Sequence, residues 1–304
     1  MKKYFALSRT THGVLDIALP AFCALLWLGN FPQISIILLS VITAFAGYTS
    51  IYALNDLVGL KVDKEKFATN NINEGYSVES SEYRYPLAQK ILSYRQGFLW
   101  ASFWFALALI GSYILNPKIV VILLTAAVLE IIYCKLLKVS YLRVIVSGVV
   151  KSCGPIAAIF VVDPNPSIYL LLLVFVWVFM WEVGGQNVPA DWNDTNEDKS
   201  ISAKTIPIRF GFEAAGAIVL VTLSIAVILS CFLPIITPAN LGLGFIVLTA
   251  IIGCYLLLRP AFILYKNKHA SSAARLFDNA SLYPLAMLVV ISGYLFFTNY
   301  LMQI

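Results

Sequence analysis

The sequence predicts an all-α polytopic membrane protein, a bundle of nine transmembrane helices that forms a single domain over residues 1–304. Of the 304 residues, 60% are hydrophobic and only 12% are charged, whereas charged residues make up ~25% of ordinary soluble domains. A spanning helix needs ~20 mostly apolar residues, and this composition provides enough for nine. The composition therefore excludes an ordinary soluble enzyme.

Nine apolar runs follow one another along the chain, and each is long enough to cross a bilayer. They lie near residues 14–30, 34–56, 96–115, 118–138, 142–162, 167–189, 213–234, 241–258 and 279–301. Lys2 and Lys3 precede the first run, as they would in a signal peptide. We keep this run as a helix of the bundle, because the distribution of charge requires it.

The basic residues are divided unequally between the two sides of the membrane. With the N-terminus in the cytoplasm, the segments on that side contain 19 of the 21 Lys and Arg residues. Such an excess in short loops marks the cytoplasmic side. We therefore expect the N-terminus and the two long polar loops, 57–95 and 190–212, in the cytoplasm. No basic block of the kind that binds nucleic acid is present, so no nucleic-acid partner is expected.

Each long loop carries an acidic motif with the spacing i, i+3, i+7, and the second motif follows 135 positions after the first. On a helix these offsets place the members on one face. Asn187 extends the second stripe by one turn, and Asn55 begins a similar stripe through Gly59 to Asp63. The motifs are Asp56, Gly59 and Asp63, then Asp191, Asp194 and Asp198.

Two acidic stripes that face each other require cations. Like charges ~6 Å apart repel by roughly 3 kcal/mol per pair at an effective dielectric constant of ~20. Oxygen ligands without His or Cys suit Mg²⁺, which in proteins usually also bridges substrate phosphates. The sequence therefore predicts Mg²⁺ and a phosphorylated substrate. The predicted metal ligands are Asn55, Asp56, Asp63, Asp191, Asp194 and Asp198.

Basic residues in both loops are candidates for holding the phosphates. Those in the first loop are Lys61, Lys64, Lys66, Arg84, Lys90 and Arg95, and those in the second are Lys199, Lys204 and Arg209. Charge-assisted hydrogen bonds from such groups would stabilise a diphosphate as its charge grows on departure.

At this point the chain resembles the UbiA superfamily of intramembrane prenyltransferases. Members of that family are nine-helix bundles with an NDxxDxxxD motif after the second helix and a DxxDxxxD motif after the sixth. The second motif is complete here, and Lys204-Thr205-Ile206-Pro207-Ile208-Arg209-Phe210-Gly211 is similar to the tail that follows it. Tyr133 and Lys138 stand where the family has a Tyr/Lys pair, and Leu276-Phe277 through Ser281-Leu282-Tyr283 is similar to a C-terminal family element.

The first motif departs from the family pattern. Gly59 stands where an Asp is usual, so the motif reads NDxxGxxxD. Tyr85-Pro86-Leu87 follows Arg84 where the family usually has Arg-Pro-Leu, which leaves the register of Arg84 open.

The resemblance implies Mg²⁺-assisted ionisation of an isoprenoid diphosphate and transfer of the prenyl group to a hydrophobic, aromatic or polyol-type acceptor in isoprenoid biosynthesis. The catalytic residues would be Asp56, Asp63, Asp191, Asp194 and Asp198. The substrate-binding residues would be Asn55, Lys61, Arg84, Tyr133, Lys138, Asn187, Lys204 and Arg209. Aromatic side chains could shield the allylic cation, although for any single one helix packing is the more ordinary role: Tyr48, Tyr52, Trp177, Phe179 and Trp181.

Two other functions stay open. The family resembles membrane terpene cyclases as well, and a cyclase without a second substrate could tolerate the altered first loop. A transporter or a noncatalytic scaffold would instead explain the charged residues predicted in or near spans, since such groups often line translocation paths. Those residues are Asp16, Glu130, Lys151 and Glu182.

Overall fold

The computed structural model describes residues 1–68 and 84–297. This part of the chain is helical and contains nine helices that are long and apolar enough to cross a membrane, which confirms the predicted fold class. A short helix, Lys2–Leu7, precedes them. The spans are Thr10–Leu28, Ile34–Ala68, Tyr94–Leu115, Pro117–Leu136, Arg143–Val162, Ile168–Asn193, Ile206–Ile235, Gly242–Asn267 and Ala270–Phe296.

The second span is longer than its apolar run. It continues as one helix to Ala68, so residues 57–68 are helical and do not belong to a loop. This segment contains no Pro, and two Leu, three Lys and one Glu, all good helix formers, make up half of it. Residues 69–83 of the predicted loop lie outside the described residues. The first acidic motif is therefore carried on a continuous, rigid helix.

The sixth span changes geometry where it approaches the second motif. Residues Glu182–Asn187 form a π-helical turn, and Pro189 follows at the start of the short helix Val188–Asn193. Proline lacks an N–H and its ring crowds the carbonyl four residues earlier, and the wider turn relieves this conflict. A further short helix, Thr195–Ser200, continues the chain. Such π-helical turns are frequent at functional sites.

The seventh span begins earlier than predicted, at Ile206. Pro207 occupies its first turn, where the missing N–H costs nothing. Gly211 has φ of 80°, a value that residues with a Cβ rarely adopt, and it marks a kink within the span.

Among the residues described above, the buried apolar side chains form two clusters, of which one is much the larger. The first, sixth, seventh and ninth spans contribute most of it, including Phe22, Trp177, Trp181 and Tyr283. The indole N–H of Trp181 donates to the carbonyl of Ala280 at 3.1 Å, which ties the sixth span to the ninth. The first and sixth spans also line a cavity beside this cluster.

Candidate active site

A cavity of about 940 Å³ runs through the bundle, lined mainly by the first, second, fourth, fifth and sixth spans. This volume is near the upper end of the ~300–1,000 Å³ typical of small-molecule sites. Both acidic motifs lie at one end of it, which we term the motif end. Five predicted catalytic carboxylates from the two motifs line the cavity there: Asp56, Asp63, Asp191, Asp194 and Asp198.

The first motif presents three polar side chains to the cavity from the second span: Asn55, Asp56 and Asp63. The amide of Asn55 donates to a carboxylate oxygen of Glu130 at 2.5 Å. Arg9 lies 3.6 Å from the carboxylate of Asp56. A Cβ at position 59 would lie 3.3 Å from Asp63 Oδ2, so the missing carboxylate of the motif would have stood directly beside Asp63.

The second motif is held by basic side chains from other parts of the chain. Nη1 of Arg143, in the fifth span, lies 2.9 Å from Asp191, and Nζ of Lys66, in the second, lies 2.7 Å from Asp198. Arg84 lies 3.4 Å from Asp194. Buried carboxylates need such compensation, so basic side chains meet part of the predicted requirement for cations.

Arg84 contacts a second carboxylate as well. Its Nη1 lies 3.1 Å from Glu197, a fully buried residue between the last two aspartates of the motif. Its guanidinium also lies 4.8 Å from the centre of the Tyr85 ring. Burial raises the pKa of the Tyr85 hydroxyl and also that of the Asp198 carboxyl, against the charge of Lys66. Asp198 therefore depends on nearby cations to stay ionised.

Tyr133 and Asn187 meet at the cavity wall. The amide of Asn187 donates to the hydroxyl of Tyr133 at 3.0 Å, and the guanidinium of Arg143 lies 4.0 Å from the centre of the Tyr133 ring. Asn187 Oδ1 is buried without a hydrogen-bond partner among the described residues. This oxygen is open to a ligand or a cation.

The donor set fits Mg²⁺. The candidate ligands are carboxylate and amide oxygens that line one cavity. Mg²⁺ prefers such oxygen ligands. Within residues 1–68 and 84–297, however, no three acidic, His or Cys side chains are arranged to share a metal ion. In this structure the carboxylates are engaged with Arg143, Lys66 and Arg84. Metal binding would have to draw them away from these partners.

Four predicted substrate-binding residues do not reach the cavity. Lys61 is exposed, because it lies two residues before Asp63 and so about 200° away around the helix. Lys138 pairs with Glu65 instead. Lys204 and Arg209 are exposed near the start of the seventh span, where the backbone N–H of Lys204 donates to the carbonyl of Leu137 at 2.7 Å. The segment from Lys204 to Gly211 is therefore joined through its backbone to the end of the fourth span.

The predicted aromatic shield is also only partly at the cavity. Tyr48 and Tyr52 line it. Trp177 and Trp181 are buried in the apolar core, and Phe179 packs against that core. For these three side chains the structure supports helix packing.

The sequence interpretation missed two of the basic residues that contact the motif carboxylates, Arg9 and Arg143. Arg9 and Arg143 had counted only as charges that set the orientation of the chain, and no motif marks them. Lys66 was among the basic residues expected around the first motif. It follows Asp63 by three residues and so lies on the same helix face, and in the structure it lines the cavity.

Comparison with known proteins identifies the family. The sequence model of the UbiA prenyltransferase family matches residues 17–298. The chain belongs to the UbiA prenyltransferase family. This confirms the predicted family and its enzyme class, prenyltransferase, and leaves the transporter or scaffold alternative without support.

Individual relatives agree with this assignment. A digeranylgeranylglyceryl phosphate synthase from Thermococcus sibiricus is 26% identical over 250 residues, which cover 82% of this chain and 81% of the relative. An apo UbiA homologue from Aeropyrum pernix K1 has a TM-score of 0.72 at 16% identity, with 93% of this chain and 97% of that chain covered. A UbiA homologue from Archaeoglobus fulgidus bound to GPP and Mg²⁺ has a TM-score of 0.69 at 18% identity, with 95% and 99% covered. The solved structures show that this UbiA-family chain shares their fold.

Proposed function

We propose that this protein is an Mg²⁺-dependent intramembrane prenyltransferase that ionises an isoprenoid diphosphate and transfers the prenyl group to a hydrophobic acceptor. The observation that carries the proposal is the meeting of both acidic motifs at one end of a cavity that continues between the helices. The GPP and Mg²⁺ bound to the Archaeoglobus fulgidus homologue support the substrate class and the metal. The name of the Thermococcus sibiricus relative supports prenyl transfer.

The motif end of the cavity would bind the metal ions and the diphosphate. When bound, Mg²⁺ neutralises the charge that develops on the departing diphosphate. Arg9, Lys66, Arg84 and Arg143 already line this end, so each could turn from a carboxylate to a diphosphate oxygen. The residues that would hold the metal are Asn55, Asp56, Asp63, Asp191, Asp194 and Asp198, and Asn187 offers one further oxygen.

The rest of the cavity suits the prenyl chain. It continues from the motif end past Tyr52 and Tyr48 to Ile119 and Val162 at the opposite end of the bundle. Enclosure between helices excludes water from a reactive cation, and the faces of the two tyrosines are placed to stabilise it. A long apolar substrate would therefore lie across the membrane with its diphosphate at the motif end.

The orientation and extent of the catalytic unit follow from the same reasoning. The basic segments that mark the inner side include Arg9, Arg84 and Arg143 at the motif end. We place the N-terminus and the mouth of the cavity in the cytoplasm. We also propose a single domain over residues 1–304, which the continuous family match supports.

The proposal can be tested with purified protein in lipid nanodiscs, Mg²⁺ and a labelled allylic diphosphate. A transferase forms a prenylated product only when an acceptor is added. A cyclic hydrocarbon or terpene alcohol formed without acceptor would instead establish a terpene cyclase. Absence of diphosphate release under both conditions would refute either activity. Asp191→Asn should abolish release, whereas Glu213→Gln, an exposed position away from the cavity, should not.

A further inference from the structure

A second group of polar side chains lines the cavity farther into the bundle than the acidic motifs. Tyr52 lies one helical turn from Asp56, and Lys151 lies two turns from Arg143; at ~1.5 Å per residue these steps are about 6 Å and 12 Å along the helix axes. We call this group the inner polar layer. Its members are Tyr52, Ser147, Lys151 and Glu182.

Half of this layer is satisfied by the protein itself. Lys151 Nζ donates to Oδ2 of Asp16 at 2.6 Å, and the hydroxyl of Tyr52 donates to the same oxygen. Asp16 is buried behind the cavity wall at 3% exposure. The ammonium and the carboxylate therefore compensate each other within the helices, as buried charges must.

Glu182 is different, because only one of its oxygens is occupied. Ser147 Oγ donates to Oε1 at 2.7 Å. Oε2 is buried and has no hydrogen-bond partner in the described part of the chain, although the residue is only 6% exposed and lines the cavity. The hydroxyl of Tyr48, also at the cavity, has no partner there either. A buried carboxylate oxygen without a donor is unfavourable, so this position calls for a ligand that donates a hydrogen bond.

The location of Glu182 fits the acceptor of a prenyl transfer. It lies nine residues before Asp191 on the same span. At ~1.5 Å per residue this is at most about 14 Å along the helix axis, since the intervening π-helical turn rises less per residue. The prenyl carbon that reacts is bonded to a diphosphate oxygen of the substrate. It must therefore lie just inside the motif end, between Asp191 and Glu182. A nucleophile that approaches this carbon from the membrane side passes Glu182.

We propose that Glu182 binds the hydroxyl group of the prenyl acceptor through Oε2 and takes its proton. This inference rests on the proposed prenyltransferase function and specifies its acceptor class as an alcohol or phenol that reacts through oxygen. In the step, the acceptor oxygen bonds to the first carbon of the prenyl group. The bond from that carbon to the diphosphate oxygen breaks, the diphosphate leaves with the electron pair, and the hydroxyl proton moves to Glu182.

The experiment separates ionisation from transfer. Wild-type protein in nanodiscs receives GPP, Mg²⁺ and either a 1-O-alkylglycerol or a long-chain alkylphenol, and the prenyl ether and released diphosphate are measured. The O-methylated form of each acceptor, which cannot donate a hydrogen bond, is the matched substrate control. Glu182→Gln is the test variant, since glutamine keeps the shape and can still accept from Ser147. Glu213→Gln is the same change at an exposed site.

We expect a prenyl ether from at least one hydroxylated acceptor and none from the methylated forms. In Glu182→Gln, ether formation should fall by about 100-fold or more, the usual contribution of a general base, while diphosphate release without acceptor stays within about 3-fold of wild type, because the motif end is intact. An equal loss of both rates, an unchanged rate of ether formation, or no ether from either hydroxylated acceptor would overturn the proposal. Diphosphate release in the last case would still support the prenyl diphosphate as substrate.

Discussion

Arg143 Nη1 lies 2.9 Å from Oδ1 of Asp191, and both side chains are more than nine-tenths buried. The pair joins the fifth span to the sixth at the carboxylate that is predicted to bind Mg²⁺. A buried carboxylate that loses its partner is strongly destabilising. The pair therefore links the stability of the bundle to the cations present at the motif end.

We expect Arg143→Met to destabilise the metal-free protein by about 3–5 kcal/mol, the usual cost of breaking a buried ion pair. Mg²⁺ should restore part of this stability, because it can compensate Asp191 in place of the guanidinium. The free energy of unfolding of each protein is measured once in EDTA and once in excess Mg²⁺. Arg209→Ala removes an exposed arginine and should change stability by no more than about 0.5 kcal/mol. Identical destabilisation of Arg143→Met with and without Mg²⁺ would contradict metal binding at Asp191.

Gly59→Asp should restore the missing carboxylate of the first motif and tighten the apparent affinity for Mg²⁺. A Cβ at this position would lie 3.3 Å from Asp63 Oδ2, so the new side chain starts beside an existing carboxylate, and each such anion strengthens a divalent cation site. The affinity is read from the Mg²⁺ dependence of diphosphate release and from calorimetric titration. Gly59→Ala adds the Cβ alone and is the control. If the apparent affinity for Mg²⁺ were lower in the Asp variant than in the Ala variant, position 59 would not belong to the metal site.

Arg84 and Lys61 were both predicted to bind substrate, but only Arg84 lines the cavity. Its guanidinium reaches Glu197 and Asp194 at the second motif. Arg84→Ala should raise KM for the allylic diphosphate by roughly 10-fold or more, since a hydrogen bond to a charged group contributes about 1.5–3 kcal/mol. Lys61→Ala, on the exposed face of the second span, should leave KM within about 2-fold. A larger effect of Lys61 than of Arg84 in steady-state kinetics would reverse this assignment.

The parts of this molecule that depend on local sequence were predictable. Apolar runs identified the nine spans, and the repeated spacing of Asp56 and Asp63 with Asp191 and Asp198 indicated that two distant segments serve one site. Lys66 was among the predicted basic residues of the first loop, and helix periodicity puts it on the same face as Asp63, three residues earlier.

The parts that depend on tertiary packing were not predictable. The ion pair between Arg143 and Asp191 joins positions 48 residues apart on different spans, and no periodic pattern relates them. Lys204 and Arg209 belong to a family-like motif, yet they are exposed. The side chains buried at the start of the seventh span are instead Ile206, Pro207 and the preceding Thr205. A motif thus indicates which segment matters without indicating which of its side chains enter the cavity.

The length of the cavity predicts its preference for long prenyl chains. Arg143 and Val162 mark opposite ends of the fifth span and both line the cavity, which at ~1.5 Å per residue extends about 28 Å along this helix. Ala157 lines it about 21 Å from Arg143 by the same measure. Ala157→Phe should therefore obstruct the far end while leaving the motif end open.

We expect Ala157→Phe to lower kcat/KM for geranylgeranyl diphosphate by about 10-fold, within the range of about 1–3 kcal/mol for an overpacked interior. Turnover of GPP, whose chain is half as long, should change little because that chain ends before the obstruction. Ile145→Phe, an exposed position on the same span, controls for the added bulk. The test is kcat/KM of each variant with geranylgeranyl diphosphate and with GPP. No loss for either substrate would mean that the prenyl chain does not follow the fifth span toward Val162 but leaves the bundle sideways, into the lipid. An equal loss for both would mean that the added ring disturbs the site as a whole and does not measure chain length.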